Sequence, residues 1–261
     1  MKLCLPAALL ASLAFVGSAF GEIKSTTVPY KDGNVELEGF VAFDDAKKGI
    51  RPGVLVIHDW TGLQDYAKTR AKQLAEQGYV AFAADIYGKG IRPVEPEQCA
   101  IEAGKYKNDL PLLRRRVQLA LEQLKLQPNT DPEHLAAIGY CFGGTSVLEL
   151  ARSGADVDGV VSFHGGLATK MPAEAGKVKG RVLVLHGAAD PYVKPDEVAA
   201  FKEEMQKANV KLQFVAYPDA VHSFTKKAAG NDPSKGNAYN EAADKQSWAE
   251  MKKFFGEILD K

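Results

Sequence analysis

Short apolar runs recur along the chain and predict the strands of a sheet. A run that is apolar throughout is typical of a strand covered on both faces, whereas alternation indicates a half-exposed strand. Residues 35–43 begin with alternation, and the later segments are largely apolar. The predicted strands are residues 35–43, 53–58, 79–84, 135–139, 157–163, 181–186 and 211–217.

Between these runs, apolar residues return at the spacing of an amphipathic helix. The predicted helices are residues 65–77, 110–126, 198–208 and 242–259, with a further helical pattern after residue 145. Strands that alternate with such helices predict an α/β fold, with a mostly parallel sheet and helices on both faces. No Pro- or Ser-rich linker and no repeat interrupts the pattern. We therefore expect one domain, over residues 22–261.

In sheets of this kind the ligand site lies at the carboxyl ends of the strands, so the residues just after each strand are the candidates. Cys141, Asp190 and His222 occupy such positions, in the chain order of the α/β-hydrolase triad. Gly139-Tyr-Cys-Phe-Gly143 fits a nucleophile elbow, a tight turn between a strand and a helix. His222 would take the thiol proton and Asp190 would orient the imidazole ring.

Two backbone N–H groups are candidates for an oxyanion hole, one at Phe142 next to the nucleophile and one near Trp60 after an earlier strand.

The side chains at the strand ends also have simpler interpretations. His222 could be a surface histidine, Asp190 a turn former and Asp59 a helix cap. The three triad residue types at three matching strand ends favour a catalytic site.

Composition changes this picture little. The 261 residues include 33 Lys and Arg against 33 Asp and Glu, so no basic excess points to nucleic acid. The two cysteines beyond Cys4, Cys99 and Cys141, form no CxxC motif and have no His at ligand spacing, so the sequence carries no metal signature.

The N-terminus predicts an export signal. Lys2 precedes an apolar run, and small residues around Ala19 and Gly21 offer cleavage positions. Residues 1–21 therefore fit a secretory signal peptide, which predicts a periplasmic or secreted protein with no membrane contact after cleavage. A retained membrane anchor is the alternative.

Three segments together resemble the dienelactone hydrolase family. They are Gly-Tyr-Cys-Phe-Gly-Gly around Cys141, Leu-His-Gly-Ala-Ala-Asp-Pro around Asp190, and Val-His-Ser-Phe around His222. The likeness extends from about residue 33 to the C-terminus. It implies an α/β-hydrolase that cleaves a small carboxylic ester or lactone through an acyl-thioester on Cys141, without a metal or an organic cofactor.

The resemblance also implies roles for residues that depart from the family pattern. Asp59 stands where the family has a glutamate that interacts with the resting thiol, which implies a thiol-activating acid. Lys89 and Lys226 stand where two arginines hold the substrate carboxylate, and lysine keeps that charge but not the bidentate fork. The predicted substrate pocket comprises Tyr87, Lys89, Ser223 and Lys226.

We therefore expect a cysteine hydrolase acting on a small ester or lactone, as a monomer or small homo-oligomer. Two alternatives remain at this point. One is a relative of the fold that binds a ligand without catalysis. The other is a thiol redox protein in which Cys141 pairs with Cys99.

Overall fold

The computed structural model describes residues 21–259. This part of the chain forms eight strands, six helices and two short 3₁₀ turns. The strands are Ile23–Asp32 (β1), Val35–Asp44 (β2), Arg51–Ile57 (β3), Val80–Ala84 (β4), Thr130–Tyr140 (β5), Gly159–Phe163 (β6), Arg181–Gly187 (β7) and Leu212–Tyr217 (β8). The helices are Asp65–Glu76 (α1), Pro96–Lys107 (α2), Leu110–Lys125 (α3), Phe142–Arg152 (α4), Pro195–Lys207 (α5) and Glu241–Ile258 (α6).

The eight strands form one sheet in the order β1-β2-β4-β3-β5-β6-β7-β8. Strands β3 to β8 pair in parallel, while β2 is antiparallel to both β1 and β4. The predicted fold class, a single α/β domain with a mostly parallel sheet, is confirmed. The carboxyl ends of the six parallel strands meet at one edge of this sheet, and the candidate site lies there.

The buried strands divide the core into two layers. Successive side chains of a strand point to opposite faces, and in β3 Val54 and Val56 pack on one face while Leu55 and Ile57 pack on the other. Helices α1 and α6 cover the first face, and α2 to α5 contribute to the second. The prediction of helices on both faces is confirmed.

Two elements, β1 and α2, were not predicted from the sequence. Strand β1 lies at the sheet edge, and most of its residues are exposed, so it lacks an apolar pattern. Helix α2 buries only Cys99, Ala103 and Tyr106, a stripe of mostly small side chains that produces little amphipathic contrast.

The predicted signal peptide falls on residues 1–21, of which only Gly21 lies within the described part of the chain. Among residues 21–259, no helix combines the length and the apolar character needed to cross a bilayer.

Candidate active site

Cys141 occupies the tight turn between β5 and α4. Its backbone has φ +55° and ψ −112°, a conformation that non-glycine residues rarely adopt and that is concentrated at functional sites. Two hydrogen bonds fix the turn: the Cys141 N–H donates to the Phe163 carbonyl at 3.0 Å, and the Thr145 N–H donates to the Cys141 carbonyl at 3.1 Å. The predicted elbow geometry is therefore present.

The glycines of the elbow are required by close backbone contacts. A Cβ on Gly139 would collide with the Gly143 carbonyl, and a Cβ on Gly143 would collide with the Ile57 carbonyl at the end of β3. The elbow therefore packs directly against the neighbouring strand. Because no side chain fits between them, the thiol is fixed relative to the loop that follows β3.

The structure brings the three predicted triad residues together. His222 Nε2 lies 3.0 Å from Cys141 Sγ, and His222 Nδ1 lies 2.7 Å from Asp190 Oδ2. The Asp190 side chain is fully buried, and its other oxygen accepts the Tyr192 N–H at 2.9 Å. Cys141 is half-buried. These contacts allow proton transfer from the thiol to the imidazole, with the ring held by the carboxylate.

Charges within the triad favour a thiolate. Burial alone would raise the pKa of the Cys141 thiol, but the His222 charge and its hydrogen bond outweigh burial and hold that pKa below its ordinary value. Burial likewise opposes the protonated His222 ring, whereas the Cys141 charge and the hydrogen bond to Asp190 raise the pKa of His222. The lowered pKa of Cys141 and the raised pKa of His222 both favour the thiolate–imidazolium form.

The His222 loop is held by the segment that precedes α6. The His222 N–H donates to the Gly236 carbonyl at 3.2 Å, and the Ala238 N–H donates to the His222 carbonyl at 3.1 Å. The Tyr192 ring meets the imidazole edge-on, with ring centroids 5.3 Å apart, and its hydroxyl accepts from Asn237 Nδ2 at 2.8 Å. Backbone hydrogen bonds to residues 236 and 238 therefore set the position of the His222 loop.

A second layer of polar residues packs behind His222. The His164 ring lies edge-on to the His222 ring at 5.3 Å, and its Nε2 lies 2.8 Å from Thr225 Oγ1. The same Thr225 hydroxyl is 2.6 Å from the Tyr66 hydroxyl, and the Thr225 carbonyl accepts from Arg70 Nη2 at 3.1 Å. Burial and the nearby His222 charge lower the pKa of His164 strongly, so this ring is neutral.

The two candidate oxyanion donors lie on segments that meet at the elbow. Phe142 is the first residue of α4, so its N–H has no acceptor inside that helix. Trp60 follows β3, whose end packs against Gly143. The Trp60 side chain is 38% exposed and its carbonyl accepts from the Tyr87 hydroxyl at 3.2 Å. The role of both N–H groups stays a prediction.

Asp59 does not contact the thiol as the resemblance implied. Its Oδ2 lies 2.5 Å from Lys226 Nζ, and its Oδ1 accepts from the Thr61 N–H at 2.8 Å and the Thr61 hydroxyl at 2.5 Å. The partner of the Cys141 thiol is His222. In this structure Asp59 pairs with Lys226 and Thr61, and its role as a thiol-activating acid stays a prediction.

The predicted pocket residues have different surroundings. Tyr87 is buried behind the elbow, with its ring 5.3 Å from the Phe142 ring. Lys89 is exposed, and its ammonium lies 3.9 Å from Glu36 of β2 rather than beside the triad. Ser223 is half-buried, has φ +59° and accepts the Lys226 N–H at its carbonyl.

A cavity of about 350 Å³ borders the triad, and none of the four predicted pocket residues lines it. It meets the triad through Tyr192, which contacts His222, and through Thr145, which hydrogen-bonds Cys141. Its wall is formed by Lys107, Leu110, Thr145, Gly166, Ala168, Thr169, Lys170, Tyr192 and Glu197. None of these lining residues was predicted from the sequence, and the role of the four predicted pocket residues stays a prediction.

Within residues 21–259, no cluster of three or more His, Cys, Asp or Glu side chains is arranged to hold a metal ion.

Comparison with known proteins identifies the family. The model of the dienelactone hydrolase family matches residues 37–259, which is most of the chain. The chain belongs to the dienelactone hydrolase family. As a member of this family, the protein is a hydrolase of carboxylic esters or lactones. The resemblance to the family and the predicted enzyme class are both confirmed.

Three relatives illustrate the match. A putative carboxymethylenebutenolidase of Synechocystis is 26% identical over 249 residues, which cover 90% of this chain and 97% of the relative. Among solved structures, m3DLH is 40% identical with a TM-score of 0.88, covering 92% of this chain and 100% of that one. A dienelactone hydrolase-like promiscuous phosphotriesterase from metagenomic libraries is 40% identical with a TM-score of 0.87 and the same coverage.

Several site residues of this member of the dienelactone hydrolase family were not predicted from the sequence. Tyr192 was overlooked although it lies only two positions after Asp190. Arg70 could have been found from the sequence, because a charged residue stands on the buried face of α1 between Ala67 and Leu74. No sequence pattern marks Thr225, since its importance arises from contacts with residues more than 60 positions away in sequence.

Proposed function

We propose that this protein hydrolyses small carboxylic esters or lactones with Cys141 as the nucleophile. The observation that carries the proposal is the pair of contacts of His222, 3.0 Å to Cys141 Sγ and 2.7 Å to Asp190 Oδ2. The base is within hydrogen-bond reach of both the nucleophile and the orienting acid, which is the arrangement that activates a nucleophile.

In the first half of the reaction the Cys141 thiolate attacks the substrate carbonyl, and a carbon–sulfur bond forms. The carbonyl electron pair moves to oxygen, which the N–H groups of Phe142 and of the loop after β3 would stabilise. When the tetrahedral intermediate collapses, the bond to the leaving oxygen breaks. His222 gives its proton to that oxygen, and an acyl-thioester remains on Cys141.

In the second half, water attacks the thioester. His222, now neutral, accepts a proton from the water, and the acid product leaves as the carbon–sulfur bond breaks. The thiolate and the protonated His222 return to their starting state. Asp190 stays ionised throughout and holds the imidazole so that Nε2 faces the sulfur.

A thiol redox function that pairs Cys141 with Cys99 is disfavoured by three observations. Both cysteines are free thiols. Cys99 is buried in α2, and its Sγ donates to the Pro93 carbonyl at 3.4 Å. Burial raises the pKa of the Cys99 thiol, so it forms a thiolate less readily than an ordinary cysteine.

A phosphotriester is a second substrate class to include. The observation that favours it is the 40% identity to the solved phosphotriesterase over 92% of this chain. An uncharged phosphotriester would present phosphorus to Cys141 in place of the carbonyl carbon, and the same His222 would protonate the leaving oxygen.

For localisation we propose export to the periplasm or the medium. The support is the sequence of residues 1–21, with its early lysine, apolar run and small residues. Mass measurement of the protein after expression with its full N-terminus tests this proposal. Removal of about 20 residues is expected, and an intact N-terminus in the mature protein would contradict it.

The hydrolase proposal is tested with a p-nitrophenyl ester and the variants Cys141→Ala and Cys99→Ala. Turnover should be lost in the first variant and kept in the second, with both variants folded as judged by circular dichroism. Equal turnover by wild type and Cys141→Ala would overturn the nucleophile assignment. Loss in Cys99→Ala alone would favour the redox alternative.

A further inference from the structure

The proposed mechanism assigns no part of the substrate to the cavity beside the triad, although two of its wall residues contact catalytic residues. The Tyr192 ring meets the His222 ring edge-on, with the centroids 5.3 Å apart and an interplanar angle of 87°. Thr145 donates its N–H to the Cys141 carbonyl at 3.1 Å. Both Tyr192 and Thr145 line the cavity, whose volume is about 350 Å³. A substrate held at the triad can therefore extend into this cavity.

One wall of the cavity is the segment after β6, and side chains of neighbouring helices hold its backbone. One oxygen of Glu197, in α5, accepts the N–H groups of Leu167 and Ala168 at 2.7 and 2.9 Å. The Arg152 side chain, which is fully buried in α4, donates from Nη2 to the Leu167 carbonyl at 2.7 Å. The wall is therefore formed before a substrate arrives, so binding does not have to order this segment.

The contact between Tyr192 and His222 indicates which part of the substrate the cavity takes. In the proposed mechanism His222 protonates the leaving oxygen, so the alcohol portion of an ester lies beside the His222 ring when the acyl-thioester forms. The acyl portion is bonded to Cys141 at that moment. Because Tyr192 contacts His222 and also lines the cavity, the cavity opens on the alcohol side of the substrate carbonyl.

The side chains of the cavity wall suit an aromatic group. Tyr192 is 57% exposed, so much of its surface is open to a ligand. Leu110 adds an apolar side chain to the wall, and Lys107 and Lys170 add two ammonium groups. Aromatic rings pack favourably against one another and attract ammonium groups over their faces. An aromatic ring in the cavity can therefore use both kinds of contact.

We infer that the cavity binds the alcohol portion of the substrate, and that Tyr192 makes the enzyme selective for esters whose alcohol carries an aromatic ring. This inference rests on the proposed hydrolase function. The aromatic ring would pack against Tyr192 while His222 protonates the leaving oxygen, and the acyl portion on Cys141 would gain nothing from the cavity. The selectivity should therefore appear in kcat/KM, which includes the step that releases the alcohol.

The test compares three esters: methyl acetate, benzyl acetate and methyl phenylacetate. Benzyl acetate carries a phenyl group added to the alcohol portion of methyl acetate, and methyl phenylacetate carries the same group added to the acyl portion. Each kcat/KM is divided by the rate constant for hydroxide-catalysed hydrolysis of that ester, which corrects for intrinsic reactivity. In wild type the phenyl group should raise the corrected kcat/KM by about tenfold or more on the alcohol portion, and by less than about threefold on the acyl portion.

Four variants complete the design. Tyr192→Ala removes the ring and should reduce the gain from the alcohol phenyl group to less than about threefold, whereas Tyr192→Phe keeps the ring and should keep the gain. Ala168→Trp adds a large side chain to the cavity wall and should lower kcat/KM for benzyl acetate by about tenfold, with a smaller effect on methyl acetate. Ala199→Trp is the matched control, because it adds the same side chain at an exposed position of α5 outside the cavity wall, and it should change all three values by less than about twofold.

Three results would overturn the inference. They are a wild-type gain that is as large on the acyl portion as on the alcohol portion, a Tyr192→Ala variant that keeps the full alcohol gain, and a failure of wild type to hydrolyse benzyl acetate. If turnover of p-nitrophenyl butyrate still depends on Cys141, each of these results leaves the hydrolase proposal standing. Ester turnover that survives Cys141→Ala would overturn the hydrolase proposal and the inference with it.

Discussion

Replacement of Asp190 by Asn tests how the triad works, because it keeps the shape of the side chain and removes its charge. Oδ1 of Asp190 accepts the Tyr192 N–H at 2.9 Å, so an Asn at this position will keep its carbonyl oxygen there. The amide nitrogen will then face His222 Nδ1, where Oδ2 now lies at 2.7 Å. An amide donates to Nδ1, which forces the neutral ring to carry its proton on Nε2.

That tautomer cannot accept the thiol proton, because Nε2 is the atom 3.0 Å from Cys141 Sγ. The variant also loses a buried hydrogen bond to a charged group, which contributes about 1.5–3 kcal/mol. At 1.4 kcal/mol per factor of ten, this loss alone lowers the population of the thiolate–imidazolium form by about 10- to 100-fold. We therefore expect kcat/KM at neutral pH to fall about 100-fold.

The pH profile gives the specific signature. In wild type the acid limb of kcat/KM should lie below the ordinary thiol pKa of about 8.5, because His222 stabilises the thiolate. Asp190→Asn makes the imidazolium form of His222 less stable, so that the ring stabilises the thiolate less. The acid limb of kcat/KM should therefore move to higher pH. Activity should then recover partly at alkaline pH, where the thiolate forms without help from His222.

The assay is hydrolysis of p-nitrophenyl butyrate over the pH range in which both proteins stay folded. The control is Asp219→Asn, the same substitution at an exposed position in the loop between β8 and His222. A profile of Asp190→Asn that falls evenly at all pH values, or that matches wild type, would refute this account of the triad.

Three further predictions concern the thiols, the elbow and the layer behind the histidine. In the native protein, iodoacetamide should modify Cys141 much faster than Cys99, as peptide mapping would show; equal rates would contradict a stabilised thiolate. Gly143→Ala should destabilise the fold by about 3 kcal/mol or more, since its Cβ meets the carbonyls that end β3; an unchanged urea midpoint would contradict this packing. Thr225→Val leaves the buried Nε2 of His164 unpaired and should cost about 1–3 kcal/mol in urea unfolding, whereas a neutral effect would show that the hydrogen bond does not matter.

Strands β3, β4, β6 and β7 of the parallel sheet were predictable because they are buried on both faces. A run such as that around Val54–Ile57 has no polar residue to obscure it, and the site at its carboxyl end follows from the topology alone. The edge strand β1 was not predictable in this way. Its side chains are mostly in water, so burial did not select an apolar pattern there.

The triad was predictable because its three members occupy fixed positions after three strands. The environment of Asp59 was not, because it depends on Lys226 from a distant loop and on the distance that the two side chains span. Sequence likeness assigned Asp59 to the thiol, and the geometry assigns it to a lysine. The wall of the cavity beside Tyr192 was equally hidden, since it is assembled from α2, α3, α4, α5 and the two loops that follow β6 and β7.

The most direct test of the central claim is detection of the acyl-thioester. Wild type and Cys141→Ala are mixed with p-nitrophenyl butyrate, quenched in acid during turnover and digested with trypsin. The peptide spanning residues 126–152 contains Cys141 as its single cysteine. We predict that this peptide gains the mass of the butanoyl group in wild type, and that hydroxylamine removes it. Steady turnover with an unmodified peptide, or an acyl group found on another residue, would contradict the claim that Cys141 is the nucleophile.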